Sequence, residues 1–430
     1  MDNIPFARPF TGKEEEAAVI RVLRSGWFTT GQEALAFEKE FAAFFEAFPQ
    51  EPSTPHGDAP LTALAVNSAT SGLHLALEAC GIRPGDVVLV PSYTFTSTAE
   101  VVRYLGADAV FVDVAPGTFH IDPKALEATL ERLSQGLPAY TPRHGKNADG
   151  GHEGFGPQGQ PKAVIPVHYG GLPCDMEAIM QIAARYGLKV IEDAAHSFPS
   201  RLKNGSWAGT IGDAGVFSFY ATKTLTTGEG GMVVSGDPRI TGRIAVMRSH
   251  GIDRNVWNRY TDTNASWYYE VVEAGYKYNL PDLLAAVGRV QLTRAFDLLD
   301  MRKEIARAYD DAFRGDAHFL LPPTGAGDAR HLYPLRLNPE GLSLSRDAFI
   351  EKLKDAGIGV SVHFIPLHIM PYYRKRYNLL PEDFPESLKS FEQVISLPIW
   401  PGMKQAQVER VIAVVTALAA EHSRYWEGIF

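Results

Sequence analysis

The chain has 430 residues, 45% of them hydrophobic and 21% charged, which is the composition of a folded soluble enzyme with a substantial core. A formal charge of -9 argues against a general nucleic-acid or anionic-membrane binder, while leaving room for a local pocket that holds a phosphate. Cys80 and Cys174 are too few for a disulfide framework or a cysteine zinc site, so free thiols and no metal are expected.

Met1 to Phe6 shows no basic region followed by an apolar stretch, and no apolar run reaches the roughly 20 residues of a membrane span. A cytoplasmic protein is expected. Thr11-Gly-Lys-Glu14 has the spacing of a capping box and predicts a helix with Ala17, Ile20 and Leu23 inward. A second helix carries Leu35, Phe41, Phe44, Phe45 and Phe48. Strand-like runs then fall at 61–66, 87–90, 109–114, 163–167, 189–191, 216–220 and 231–234. Helical stretches at 72–79, 96–105, 123–133 and 176–186 separate most of them. Strands that are apolar throughout and alternate with helices predict an α/β fold: a mainly parallel sheet covered on both faces.

Residues 50–58 are rich in proline, and 134–162 are rich in glycine, proline, histidine and charge, which predicts a long surface excursion. From 280 to 313 a long helical pattern reads as a spine joining a large domain, 1–275, to a smaller α+β domain, 276–430. The smaller domain is predicted to contain strands at 333–337 and 359–363 and helices at 346–356 and 405–422.

Ligands of parallel sheets gather at the carboxyl ends of the strands. After the first strand, Asn67-Ser-Ala-Thr-Ser-Gly-Leu-His74 opens a helix with small and hydroxyl residues, so Thr70 and Ser71 are candidates for a phosphate. Pro91 to Thr98 offers Tyr93 or Phe95 to stack on a flat ring, and His168 follows another strand. Val190-Ile-Glu-Asp-Ala-Ala-His196 delivers Glu192 and Asp193 to a strand end; an aspartate there can pair with a protonated ring nitrogen, and His196 can reach a ring substituent. Ser218 lies on the strand that runs into Tyr220-Ala-Thr-Lys223. A lysine withdrawn from water there loses its favoured charge and becomes a nucleophilic amine suited to Schiff-base chemistry. Phosphate site, aspartate and lysine together specify pyridoxal 5'-phosphate.

The chain resembles the DegT/StrS-type nucleotide-sugar aminotransferases, of fold-type-I aspartate aminotransferase architecture, almost end to end. The matching segments include Ser25-Gly-Trp-Phe-Thr-Thr-Gly31, Glu192-Asp-Ala-Ala-His196, Phe217 to Lys223, Gly228-Glu-Gly-Gly231, Gly275-Tyr-Lys-Tyr-Asn-Leu280 and Val362-His-Phe364. The resemblance implies that Lys223 carries the cofactor as a Schiff base and Asp193 pairs with the pyridine nitrogen. It also implies that Thr70, Ser71 and Ser218 hold the phosphate, that His196 sits near the ring hydroxyl, and that Phe95 stacks on the ring. Asn279 would reach the phosphate of a neighbouring subunit, so a homodimer with shared sites is expected. Arg248, His250, Tyr276, Lys277 and His363 are candidates for the nucleotide diphosphate or the sugar.

The implied reaction moves an amino group from L-glutamate, leaving 2-oxoglutarate, to a nucleotide-linked keto-deoxysugar. Similarity to enzymes of the 4-amino-4-deoxy-arabinose type favours C4 over C3. A dehydratase branch carries histidine where Lys223 stands, and some relatives are regulators; the retained lysine argues against both. Lipopolysaccharide, glycoprotein and antibiotic sugars all fit.

Overall fold

Seven strands form the central sheet of the computed structural model, which describes residues 3–47, 60–141, 154–253, 268–325 and 327–425. Phe48, the run at 50–58 and the middle of the 134–162 excursion lie outside these residues. The strands are β1 (Thr62–Val66), β2 (Asp86–Pro91), β3 (Asp108–Val112), β4 (Gln160–Val164), β5 (Lys189–Asp193), β6 (Ala214–Ser218) and β7 (Gly231–Ser235). Their order is β1-β7-β6-β5-β4-β2-β3. Only β7 runs antiparallel to its neighbours, β1 and β6.

Apolar side chains alternate to both faces because both are covered. On one face Val88, Val90, Val216 and Val233 pack with Leu73 and Leu77 of α3 (Ala69–Ala79), Val101 of α4 (Ser97–Tyr104) and Ile244 of α7 (Pro238–Met247). On the other, Val87, Leu89 and Val110 meet α5 (Pro123–Ser134) and α6 (Met176–Tyr186). Phe37, Phe41 and Phe45 of α2 (Gln32–Glu46) pack edge-on or tilted against Phe217 and Phe219.

The first helix, α1 (Lys13–Ser25), differs from expectation at both its start and its face. Its first N–H is taken one residue later, where the Gly12 N–H donates to the Glu15 carboxylate at 2.7 Å. Ala18 and Val22 turn inward and pack on Ala286, whereas Ile20 and Leu23 are 45% and 51% exposed. Small side chains let the two helices approach closely, so size did not mark the buried face.

The 280–313 pattern is two helices, Asp282–Thr293 and Ala295–Phe313, because Arg294 at φ -107° and ψ 10° leaves the helical region. The first packs on α1 and α2, and its Asp282 carboxylate accepts the N–H groups of Gly31 and Ala34 at 2.7 and 3.0 Å. The second reaches the smaller sheet, β8 (Phe319–Leu320), β9 (Tyr333–Leu337) and β10 (Val394–Leu397), ordered β10-β9-β8. Phe349 and Leu353 of the helix Arg346–Asp355, and Val411 and Val415 of Gln405–Glu421, fill the core beside it.

The expected strand at 359–363 is absent from that sheet. Gly359 N–H donates instead to the Ile4 carbonyl at 2.7 Å, Ile4 pairs with Ile358, and Ser361 alone of the segment bridges β10 through its backbone. The excursion after α5 is tied down at its described flanks: Tyr140 bridges Phe155, and the Phe111 N–H donates to the Tyr140 hydroxyl at 2.8 Å. No described helix is long and apolar enough to cross a membrane.

Candidate active site

Strand alternation separates two adjacent carboxylates at the end of β5. Asp193 lines a cavity of about 430 Å³; its Oδ2 accepts the Thr98 hydroxyl at 2.9 Å and its Oδ1 the Ala195 N–H at 3.2 Å. Burial raises its pKa, opposed by those two donors and by the Lys223 charge. Glu192 points the other way, fully buried, and accepts the N–H groups of Gly209, Ile211 and Gly212 at 2.6–2.8 Å. It also pairs with His168 Nε2 at 2.8 Å, while His168 Nδ1 accepts the Cys174 N–H, which places the ring proton on Nε2. Glu192 and His168 therefore brace loops beneath the sheet and do not reach the cavity.

Lys223 follows β6 through a turn closed by its own N–H donating to the Tyr220 carbonyl at 2.9 Å. It is half-buried and lines the same cavity as Asp193. Desolvation lowers its pKa to about 8 against the raising effect of Asp193, with a smaller lowering by Arg302. About one-tenth of the amine is thus neutral at pH 7, far more than for an ordinary lysine, and able to act as a nucleophile.

The N-terminus of α3 opens onto the cavity opposite. Ser68 caps it by accepting the Ser71 N–H at 3.1 Å, and the Ser71 hydroxyl donates to Asn67 Oδ1 at 2.7 Å. Ser71 is 4% exposed and spent on this turn, and its neighbours rather than Ser71 itself line the cavity. Ser68, Ala69, Thr70 and Ser218 line the cavity, and the Thr70 hydroxyl has no protein partner among the described residues. Gly231 permits the close fit of β7 beneath this turn, since a Cβ there would stand 2.7 Å from the Ala69 nitrogen. Free N–H groups, a helix dipole and hydroxyls form an anion cradle.

Of the two candidate aromatics, Phe95 lines the cavity and is 54% exposed, whereas Tyr93 is fully buried and donates to the His363 carbonyl at 2.8 Å. His196 also faces the cavity; its Nδ1 accepts the Gly170 N–H at 3.2 Å, and burial pushes it well below its ordinary pKa, so the ring is neutral. His363 lines the cavity and contacts the Ser396 hydroxyl through Nδ1 at 2.9 Å.

Sequence reasoning missed Phe6, His331, Leu332, Phe364 and Ile399, which complete the walls. His331 stands 4.5 Å from His196, ring to ring. Its place just before β9 was a usable signal; Phe6 gave none, because the Ile4–Ile358 pairing brings it there.

Five further candidates lie elsewhere. Arg248 is buried, ion-paired with Glu38 and bonded to the Ala65 carbonyl at 2.7 Å, so it holds the fold together within its own chain. His250 is exposed at φ 66°, Tyr276 stacks on Tyr278 at 5.1 Å, and Lys277 is exposed. Asn279 donates to the Thr30 hydroxyl at 2.6 Å and, with Lys277, Arg248, Thr29 and Ser249, borders a second cavity of about 230 Å³.

The main cavity fits one cofactor by chemistry. Asp193 is a buried carboxylate that would gain from a cation, Lys223 is an amine prepared for an aldehyde, and the α3 terminus wants an anion. Pyridoxal 5'-phosphate carries all three partners, and the protein is a pyridoxal phosphate-dependent transferase of the α/β class.

The sequence matches the DegT/DnrJ/EryC1/StrS aminotransferase family over residues 9–416. It is 42% identical over 416 residues to the spore coat polysaccharide biosynthesis protein SpsC of Bacillus subtilis, covering 96% of each chain. Spr1654 of Streptococcus pneumoniae, solved in PLP and PMP forms, is similar with a TM-score of 0.81 in the PMP form at 28% identity, over 97% of this chain and 100% of that one. PseC of Helicobacter pylori, an aminotransferase involved in the biosynthesis of pseudoaminic acid, gives a TM-score of 0.81 at 25% identity, over 98% and 100% of the two chains. The chain belongs to the DegT/DnrJ/EryC1/StrS aminotransferase family, and its activity is that of a sugar aminotransferase.

Proposed function

We propose that this cytoplasmic enzyme takes nitrogen from L-glutamate and delivers it to the C4 keto group of a nucleotide-linked keto-deoxysugar. The observation that carries this reading is the desolvated Lys223 amine, its pKa lowered, sharing one cavity with Asp193 and the α3 anion cradle. Bound there, pyridoxal phosphate supplies the electron sink that lets an amino acid's α proton leave. Asp193 would keep a ring nitrogen protonated through its charge. Lys223 is the base placed to take and return the α proton. Thr70 and Ser218 would hold the phosphate, Phe95 would offer a flat surface to the ring, and His196 would offer a neutral N–H donor through Nε2.

Asn279 and Lys277 serve a neighbouring subunit's site in this reading, and the protein works as a homodimer. Exposed apolar residues support a second copy on that side: Phe28 is 48% exposed, Val271 63% and Val272 56%. Asn279 is separated from the Lys223 cavity of its own chain, which supports a role across an interface.

The test loads the enzyme in its pyridoxamine form and offers a panel of 3-keto and 4-keto nucleotide sugars. Recovery of the visible absorbance with a 4-keto member is expected. Recovery with simple 2-oxo acids alone would remove the sugar assignment, and turnover without stoichiometric 2-oxoglutarate would favour dehydration.

A further inference from the structure

We infer that Arg302 is a positioning residue for Lys223, fastening the turn that carries the lysine to two segments of the smaller part and fixing a positive charge behind the amine. Arg302 lies on the helix Ala295–Phe313 and is 2% exposed. Its Nη1 donates to the carbonyls of His331 at 3.1 Å and Ile399 at 2.9 Å, and its Nη2 to that of Thr222 at 3.3 Å. Thr222, His331 and Ile399 all line the Lys223 cavity, and Thr222 is the residue before the lysine. One side chain thus gathers three walls of the site that are remote from one another in sequence.

The charge is the unexpected part. No carboxylate pairs with Arg302 among the described residues, its Nε has no partner, and burial pulls its pKa down to about 10. Withdrawing an uncompensated cation from water is costly, and three carbonyls alone do not demand one. A guanidinium does offer five donors in a rigid fork, which suits three acceptors arriving from different segments. Its field also opposes a second positive charge nearby, and the Lys223 amine feels it in that direction. The other titratable groups on the cavity are Asp193 and Glu229, Tyr220, and the three imidazoles His196, His331 and His363. Burial holds all three imidazoles neutral, so Arg302 opposes Asp193 in deciding whether the lysine nitrogen keeps its proton.

The inference rests on Lys223 being the cofactor-bearing lysine. Borohydride reduction of the cofactor-loaded wild type, followed by peptide mass spectrometry, checks that reading separately: label on any other residue removes it. Arg302 itself is tested in the loaded protein by following the visible absorbance against pH. Arg302→Gln is expected to raise the midpoint of that titration by about one unit, as loss of a nearby like charge requires. An unchanged midpoint, with only a lower melting temperature, would overturn the electrostatic role. Arg302→Lys keeps the charge but cannot span three carbonyls. Its midpoint should stay within about 0.3 units of wild type, while recapture of the cofactor by Lys223, after displacement by an added amine, slows about tenfold or more. Recapture at the wild-type rate would overturn the positioning role, and this variant decides the matter if Arg302→Gln does not fold.

Discussion

Glu192 and Asp193 are consecutive residues whose carboxylates serve opposite sides of one sheet. Asp193 faces the cavity that holds Lys223, while Glu192 is enclosed by three backbone N–H groups and His168. Their substitutions should therefore fail in different ways.

Asp193→Asn keeps the size and one acceptor but removes the charge that would hold a ring nitrogen protonated. Turnover should fall by about 100-fold or more, with the melting temperature little changed. Single-turnover kinetics with glutamate measures this, and a variant within twofold of wild type would sink the assigned role.

Glu192→Gln leaves one carbonyl oxygen where two oxygens accepted N–H groups, and presents an NH₂ to donors. Stability should drop by about 3 kcal/mol. Urea unfolding reads the loss, and the protein that remains folded should keep most of its single-turnover rate.

Thr70 and Ser71 make a second such pair. Thr70→Val should weaken retention of the cofactor about tenfold, the value of one hydrogen bond to a charged group, in equilibrium dialysis against pyridoxal phosphate. Ser71→Ala should cost about 1 kcal/mol of stability through its helix turn, with retention nearly unchanged. The reverse pattern would return the phosphate contact to Ser71.

Arg248→Met leaves Glu38 buried without its cation. About 3–5 kcal/mol of stability should be lost. Thermal unfolding measures it; an unaltered melting point with a raised KM for the sugar would make Arg248 a substrate ligand after all.

Lys223 gives the stability a pH dependence with a definite sign. Its amine titrates at about 8 in the folded protein against an ordinary 10.5. Between those values the unfolded chain binds more protons, so stability rises with pH. The contribution is full above 10.5 and lost as the pH falls through 8. The urea midpoint of cofactor-free wild type minus that of Lys223→Met should climb across this window, and a flat difference rejects it.

The sheet was legible because buried parallel strands such as β2 are apolar on both faces, a pattern few other structures share. Lys223, Asp193, Thr70 and Ser218 were legible because strand ends converge. The face of α1 was not: Ile20 and Leu23 are larger than Ala18 and Val22, and periodicity alone allows either face inward. The opposite orientations of Glu192 and Asp193 follow from the two-residue repeat of a strand, a signal that was present. Phe6 and the fate of 359–363 depend on one long-range pairing, which no local pattern encodes.

That pairing has a consequence for assembly. Ile4 meets Ile358, and through it Phe6 becomes a wall of the cavity, so the pocket is a ring of chain closed by distant residues. Joining such distant segments is a slow, late contact in folding, because a long loop must be ordered first. The sheet can form with β1 to β7 in place while the ring is still open. Tight capture of the cofactor would then report completion of the whole chain's fold, and a ribosome-bound or C-terminally shortened chain would show native sheet signals without a closed site.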